Sequence, residues 1–175
     1  MRESSRTLEI TIISGENLNK TDDAYVVVRA ESIKCCTTRT AKASGNADDS
    51  TFLSWNEKLF IDVPAHARSI TFEVQCKKSN GAARTVGVAR IGINDFLGEG
   101  VPDNCLQVLS YGLRDWEGRR NGVIHFAVRV AVPEECTART KDNSGERLMR
   151  AHVGDKKSCG IVAGVPFWWN YPNII

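Results

Sequence analysis

The sequence predicts an all-β fold: an antiparallel β-sandwich of about eight strands, followed by a C-terminal extension. Three observations predict it. Short segments alternate apolar and polar residues with the two-residue period of a half-buried strand. Turn-forming residues separate these segments at intervals typical of sandwiches. No long segment carries a helical period, so the strand–helix alternation that dehydrogenase and kinase folds require is missing.

The elements follow in order. Leu8, Ile10 and Ile12 alternate with Glu9 and Thr11, and Ser14-Gly15-Glu16-Asn17 breaks the run. Tyr25 to Ala30 is apolar and β-branched, and Ile33 to Thr40 is rich in Thr and Cys, as a partly exposed strand would be. Within it Cys35 and Cys36 point to opposite faces, which predicts one in the core and one outside. Ala43 to Ser50 is a polar loop, Phe52 to Val63 a strand stopped by Pro64. Ile70, Phe72 and Val74 alternate with Thr71, Glu73 and Gln75, a loop follows from Lys77 to Ala83 around Asn80-Gly81, and Val86 to Ile93 is the next strand. Asn94 to Leu97 reads as a short helical turn, capped by Asn94 and closed by Gly98. Leu106 to Leu113 and Val123 to Val132 complete the series across a polar stretch, Arg114 to Gly122. His125 is out of phase with Ile124 and Phe126 and reads as a surface or edge histidine.

The composition divides the chain into a β-domain over residues 1–133, a polar linker over 134–158 and an apolar, aromatic tail over 159–175. The chain has 175 residues with 23 Lys+Arg against 21 Asp+Glu. A net charge of +2 gives no support to a nucleic-acid binder held by bulk electrostatics. The polar N-terminus lacks the apolar stretch of a signal peptide, and no run approaches the ~18 apolar residues that cross a bilayer. The expectation is a cytoplasmic protein, peripherally associated with membrane. Six cysteines in that setting argue for thiols rather than disulfides, and without a Cys-x-x-Cys pair or clustered histidines a zinc site is unsupported. No nucleophile elbow, phosphate-binding loop or His-Glu-x-x-His motif is present, so a non-enzymatic role is expected.

Three features then converge: Leu8-Glu-Ile-Thr-Ile-Ile-Ser-Gly-Glu-Asn-Leu18, Asp23-Ala-Tyr-Val26, and Trp55-Asn-Glu57 leading into a strand. In this order they resemble the opening of a C2 domain, and Ile93-Asn-Asp-Phe96 fits as well. The resemblance covers about residues 5–132. Arg6 to Ile10, so close to the N-terminus, is similar to the start of small plant C2 proteins associated with copines and defence regulation. It implies the C2-type sandwich in its type II permutation, closed by Val123 to Val132.

The resemblance also implies where calcium would be sought. Calcium takes about 6–8 oxygen ligands, so several acids must converge. Asp23 matches the family's first-loop acid, with Asp22 beside it. The third loop should carry Asp-x-Asp after the Phe-x-Val strand. Here Phe72-Glu-Val-Gln75 is followed by Cys76-Lys77-Lys78, so Cys76 and Lys78 stand where acids belong. An ammonium group repels a divalent cation, and no tight calcium site is expected. Asp22 and Asp23 remain as a residual pair, and Asp48 and Asp49 offer at most weak ligands.

The same replacements make the loop basic. Lys77, Lys78 and Arg84 are candidate contacts for anionic phospholipid, and the bland reading of the same residues is a solvated turn. Lys34, Arg39 and Lys42 are spaced so that they do not share one face, which makes a weaker patch. In the tail, Phe167, Trp168, Trp169 and Tyr171 are candidate anchors, preceded by Lys156 and Lys157. Broken by Pro166, the tail either inserts shallowly or folds back on the sandwich or a partner. Cys159 beside it is a candidate acylation site or an ordinary thiol. The expected function is a peripheral phospholipid-binding adaptor without cofactor. By resemblance it restrains plant defence and cell death with a copine-type partner. The competing reading is a protein-interaction module that never meets lipid.

Overall fold

The computed structural model describes residues 5–19, 23–31, 33–42, 51–78, 80–98, 105–131 and 162–164. In chain order the strands are β1 (Arg6–Glu16), β2 (Asp23–Arg29), β3 (Cys35–Thr37), β4 (Ala41–Lys42), β5 (Phe52–Val63), β6 (Ser69–Lys77) and β7 (Ala83–Gly92). The short helix α1 (Asn94–Leu97) follows, then β8 (Gln107–Arg114), β9 (Arg120–Val130) and β10 (Val162–Gly164). The alternation seen in the sequence becomes geometry: Leu8, Ile10 and Ile12 on β1 and Phe72 and Val74 on β6 are fully buried, while their alternate neighbours face outward.

Hydrogen-bonded neighbours run β3-β2-β6-β7-β8-β9-β1-β5. Among the described residues the link from β7 to β8 is a single pair, Val88 with Arg114. This narrow seam divides the path into two four-stranded layers, β3-β2-β6-β7 and β8-β9-β1-β5. Their inner faces share one core, in which Phe72 of the first layer stacks on Phe126 of the second with ring centroids 4.4 Å apart. Tyr111 lies 6.0 Å from Phe126 and donates its hydroxyl to Asp95 at 3.1 Å. Burial and the Asp95 charge push that phenol well above its usual range. Strand β9 lies antiparallel beside β1, closing the sandwich in the permutation expected.

The three recognition motifs each have a structural job. Asn17 adopts φ 56° and donates its N–H to Thr51 O, turning the chain so that Leu18 drops into the core. Asn56 adopts φ 45°, a conformation Asn tolerates better than most side chains, at the bulge where the β1–β5 register shifts. Trp55 beside it donates its indole N–H to Ala24 O at 3.1 Å, tying one layer to the other, and Glu57 accepts the Arg39 N–H at 2.8 Å.

Several boundaries differ from expectation. The expected Ile33–Thr40 strand shrinks to β3, and β4 begins just past it at Ala41. The Thr38 hydroxyl accepts the Val26 N–H at 2.9 Å, taking the place of a ladder carbonyl. Asn94 is the first helical residue rather than the cap; Ile93 holds the cap position with no side-chain bond, and Gly98 closes the turn as expected. Strand β7 starts at Ala83 rather than Val86, because the Asn80-Gly81 turn is tight enough to pair Lys77 with Ala83. The Arg114–Gly122 stretch contracts to a hairpin turn, since β9 begins at Arg120. Cys35 is exposed as expected of one of the pair, and Cys36 is half-buried against the core, its thiol donating to Phe60 O at 3.1 Å. Cys35, Cys36 and Cys76 are free thiols.

On the outer face of the second layer, Glu9 is a buried carboxylate. Lys58 Nζ and Arg129 Nη2 each lie 2.7 Å from its oxygens. Burial alone would raise its pKa; the hydrogen bonds and charges of Arg129 and Lys58 outweigh that and hold it below the ordinary value. The proposed linker, residues 134–158, lies outside the described residues. Of the tail, Val162–Gly164 pairs in parallel with Gln107–Leu109 of β8.

Candidate functional site

Four connections meet at one end of the sandwich. Strand β1 ends at Glu16, which pairs with Val123 of β9 and Phe52 of β5. Strand β2 begins beside the end of β6, Ala24 against Cys76, and β6 turns back into β7 there. The β8–β9 hairpin joins Arg114 to Arg120 at the same end. A groove of about 440 Å³ runs between them, lined among others by Leu18, Asn19, Arg84, Trp116, Arg119 and Asn121.

Asn121 holds this rim together. Its side chain is buried, accepts the Asn19 N–H at 2.9 Å and donates to Val86 O at 2.7 Å. One amide thus ties the β1–β2 connection and β7 to the β8–β9 hairpin. Gly122 next to it adopts φ +86°, and a Cβ there would lie 2.5 Å from Glu16 O. Only glycine lets the hairpin pass so close to the end of β1.

The basic hairpin is well formed. Lys78 N–H donates to Ala82 O and Gly81 N–H to Lys78 O, both at 2.8 Å, and the Asn80 side chain accepts the Ala82 N–H at 3.0 Å. Lys77 and Lys78 are exposed at its tip. Arg84 lies across from Cys76 and directs Nε toward its sulfur at 3.4 Å. The structure therefore brings Lys77, Lys78 and Arg84 to one hairpin.

At the third-loop positions where calcium would be sought stand a thiol and an ammonium group. Cys76 is buried and Lys78 is exposed. Asp23 sits at the start of β2 opposite Lys42, and Asp22, Asp48 and Asp49 lie outside the described residues. Among the described residues no three His, Cys, Asp or Glu side chains gather where they could hold a metal ion. A buried thiol and an ammonium are the wrong donors for a hard cation that wants oxygen, so the third-loop positions do not fit calcium. Phe167, Trp168, Trp169 and Tyr171 also lie outside the described residues, as does Cys159.

Sequence reasoning passed over Trp116, Arg119 and Asn121, which sit in what reads as a polar stretch. The signal was there: a lone Trp in Asp-Trp-Glu-Gly, a turn motif with no apolar neighbours to bury it. His125 is only partly a surface residue. Its Nδ1 lies 2.7 Å from Ser110 Oγ, while Nε2 is buried without a hydrogen-bond partner, 3.6 Å from Glu16 Oε1.

Comparison with known proteins agrees with this architecture. The family model for the C2 domain matches residues 6–108, and the chain belongs to that family. It is 32% identical over 134 residues to BON1-associated protein 2 of Arabidopsis thaliana, across 71% of this chain and 61% of that protein. The chain thus spans about three fifths of that relative's length. Among solved structures, it is similar to a C2 domain of plant extended synaptotagmin 1, with TM-score 0.55 and 18% identity, covering 71% of this chain and 93% of that one. It is equally similar to a pair of C2 domains from extended synaptotagmin 2 solved with calcium bound, with TM-score 0.55 and 18% identity over 71% of this chain and 45% of that one. At these identities the two solved structures speak for the fold. No helix among the described residues is long and apolar enough to cross a membrane.

Proposed function

We propose that this C2 domain is a non-catalytic adaptor that docks peripherally on anionic phospholipid through the Lys77–Lys78 hairpin and Arg84. The observation that carries the reading is the pair of exposed lysines at the hairpin tip, of which Lys78 stands where the family pattern carries an acid. Each basic residue near an anionic surface contributes about 1 kcal/mol, so three give roughly 3 kcal/mol of salt-sensitive attraction. The docking needs no calcium. The similarity to a protein named for its association with BON1 supports a copine-type partner and a role in restraining plant defence and cell death. The division into a domain over 1–133, a linker over 134–158 and a tail anchor at Phe167, Trp168, Trp169 and Tyr171 belongs to the same proposal, as does a cytoplasmic location at the membrane surface.

A second reading is a protein-interaction module without lipid. The edge of β8 favours it, because that edge takes up a strand from the chain's own tail in parallel. Co-sedimentation with phosphatidylserine vesicles separates the two. Binding that survives chelator, weakens at high salt and is lost in the Lys77→Ala, Lys78→Ala, Arg84→Gln variant supports docking on lipid. Absence of binding in every condition favours the interaction module. Binding only with calcium overturns the reading of the third loop.

A further inference from the structure

The hairpin between β8 and β9 carries a large apolar side chain in the open. Trp116 is 86% exposed and forms one wall of the groove at the rim. The turn that presents it is held on all sides. Asp115 Oδ1 accepts the N–H groups of Glu117 and Arg119 at 2.9 Å each, and Oδ2 accepts Arg119 Nε at 3.1 Å. Asp115 N–H donates to Arg119 O at 2.9 Å, and Arg114 Nη1 donates to Gly118 O at 2.8 Å. Gly118 supplies the positive φ of 79° the turn requires. A side chain on so fixed a turn loses little further backbone freedom when it meets a surface.

We infer that Trp116 is the point at which this domain enters the interfacial layer of an anionic phospholipid bilayer. The inference rests on the membrane reading above and adds to it a non-electrostatic anchor. Indole prefers this layer because its ring is apolar and its N–H is polar. The surroundings are on balance basic: Arg119 pairs with both Asp115 and Glu117, Arg114 and Arg120 stand beside them, and the Lys77–Lys78 hairpin lies at the same end of the sandwich. Other exposed apolar side chains among the described residues are placed differently. Ile33 follows β2, at the far end from the rim, and Phe60 lies within β5 opposite Glu9 of β1. Phe52, at 42% exposure, begins β5 at the rim and is the lesser companion of Trp116.

The test is partition of the full chain onto phosphatidylcholine vesicles containing phosphatidylserine, at several salt concentrations. Trp116→Ala should lower the partition coefficient about tenfold or more, the effect of withdrawing one aromatic side chain from the interface. Trp116→Phe should recover most of it. The salt dependence should stay that of the wild type, whereas neutralising Lys77, Lys78 and Arg84 should flatten it. Quenching of tryptophan emission by brominated lipid should fall in Trp116→Phe, and the urea midpoint should not move. If the wild type binds in a salt-dependent way and Trp116→Ala matches it within twofold with unchanged bromine quenching, the anchor is refuted while basic docking stands. If the wild type binds no vesicle, both fall.

Discussion

Replacing Asn121 with Ala should loosen the whole rim. The residue is buried, and its amide makes two hydrogen bonds, 2.9 Å from the Asn19 N–H and 2.7 Å to Val86 O. Each such bond contributes about 1 kcal/mol net, and the two backbone groups left behind have restricted access to water, which adds to the loss. The sum is about 2–4 kcal/mol. A domain of this size loses roughly 3–5 °C in Tm per kcal/mol, so the midpoint should fall by about 10 °C. Thermal unfolding followed by near-ultraviolet circular dichroism measures the midpoint, and urea denaturation the free energy. Asn121→Asp keeps the oxygen facing Asn19 but cannot donate to Val86, and places a charge in a buried site, so it should be at least as damaging. A loss below about 0.5 kcal/mol for Asn121→Ala, the range of ordinary surface changes, would refute the view that this amide staples the loops.

Glu9→Gln should cost about 1.5–3 kcal/mol at neutral pH, toward the lower end because Arg129 and Lys58 are half exposed and rehydrate. The folded pKa of Glu9 is depressed, so its contribution is present above the unfolded carboxyl value and lost as pH falls through the folded one. The difference between wild type and variant, from denaturation across pH, should hold from neutral to about pH 5 and shrink below about pH 4. Gly122→Ala should destabilise by about 2–4 kcal/mol, since the backbone conformation is unfavourable to alanine and the new methyl meets Glu16 O; calorimetry checks this. Phe72→Ala should cost about 3–5 kcal/mol, as a fully buried ring stacked on Phe126 leaves a cavity between the layers, read from the urea midpoint.

The layers were legible because burial enforces alternation. Leu8, Ile10 and Ile12, or Ile70, Phe72 and Val74, can satisfy a core only as strands, and the structure places them so. The motifs around Asn17 and Trp55 were legible as a family pattern, although their roles as left-handed turn and interlayer tie are visible only in three dimensions. Strand ends were harder to read. Ala83 to Thr85 is exposed, so nothing apolar marks it as strand; a tight turn and pairing with β6 extend the ladder there. Thr38 breaks a strand by a hydroxyl contact with Val26, twelve residues away in sequence. At the rim, the basic hairpin could be found from local charge. Asn121 could not, because a buried amide among arginines and glycines reads like any polar loop until its long-range partners are known.

The parallel pairing of Val162–Gly164 with β8 has a consequence for how the molecule comes into being. Among the described residues β7 meets β8 at one position, and a strand border with so little pairing is a place where another chain can add. The stretch that covers Gln107–Leu109 leaves the ribosome only after β8 and β9 have both been made. Until it arrives the nascent domain has a sticky margin, and the chain then supplies its own guard. Truncation ahead of residue 162 should make that vulnerability permanent, leaving a domain that self-associates along its margin.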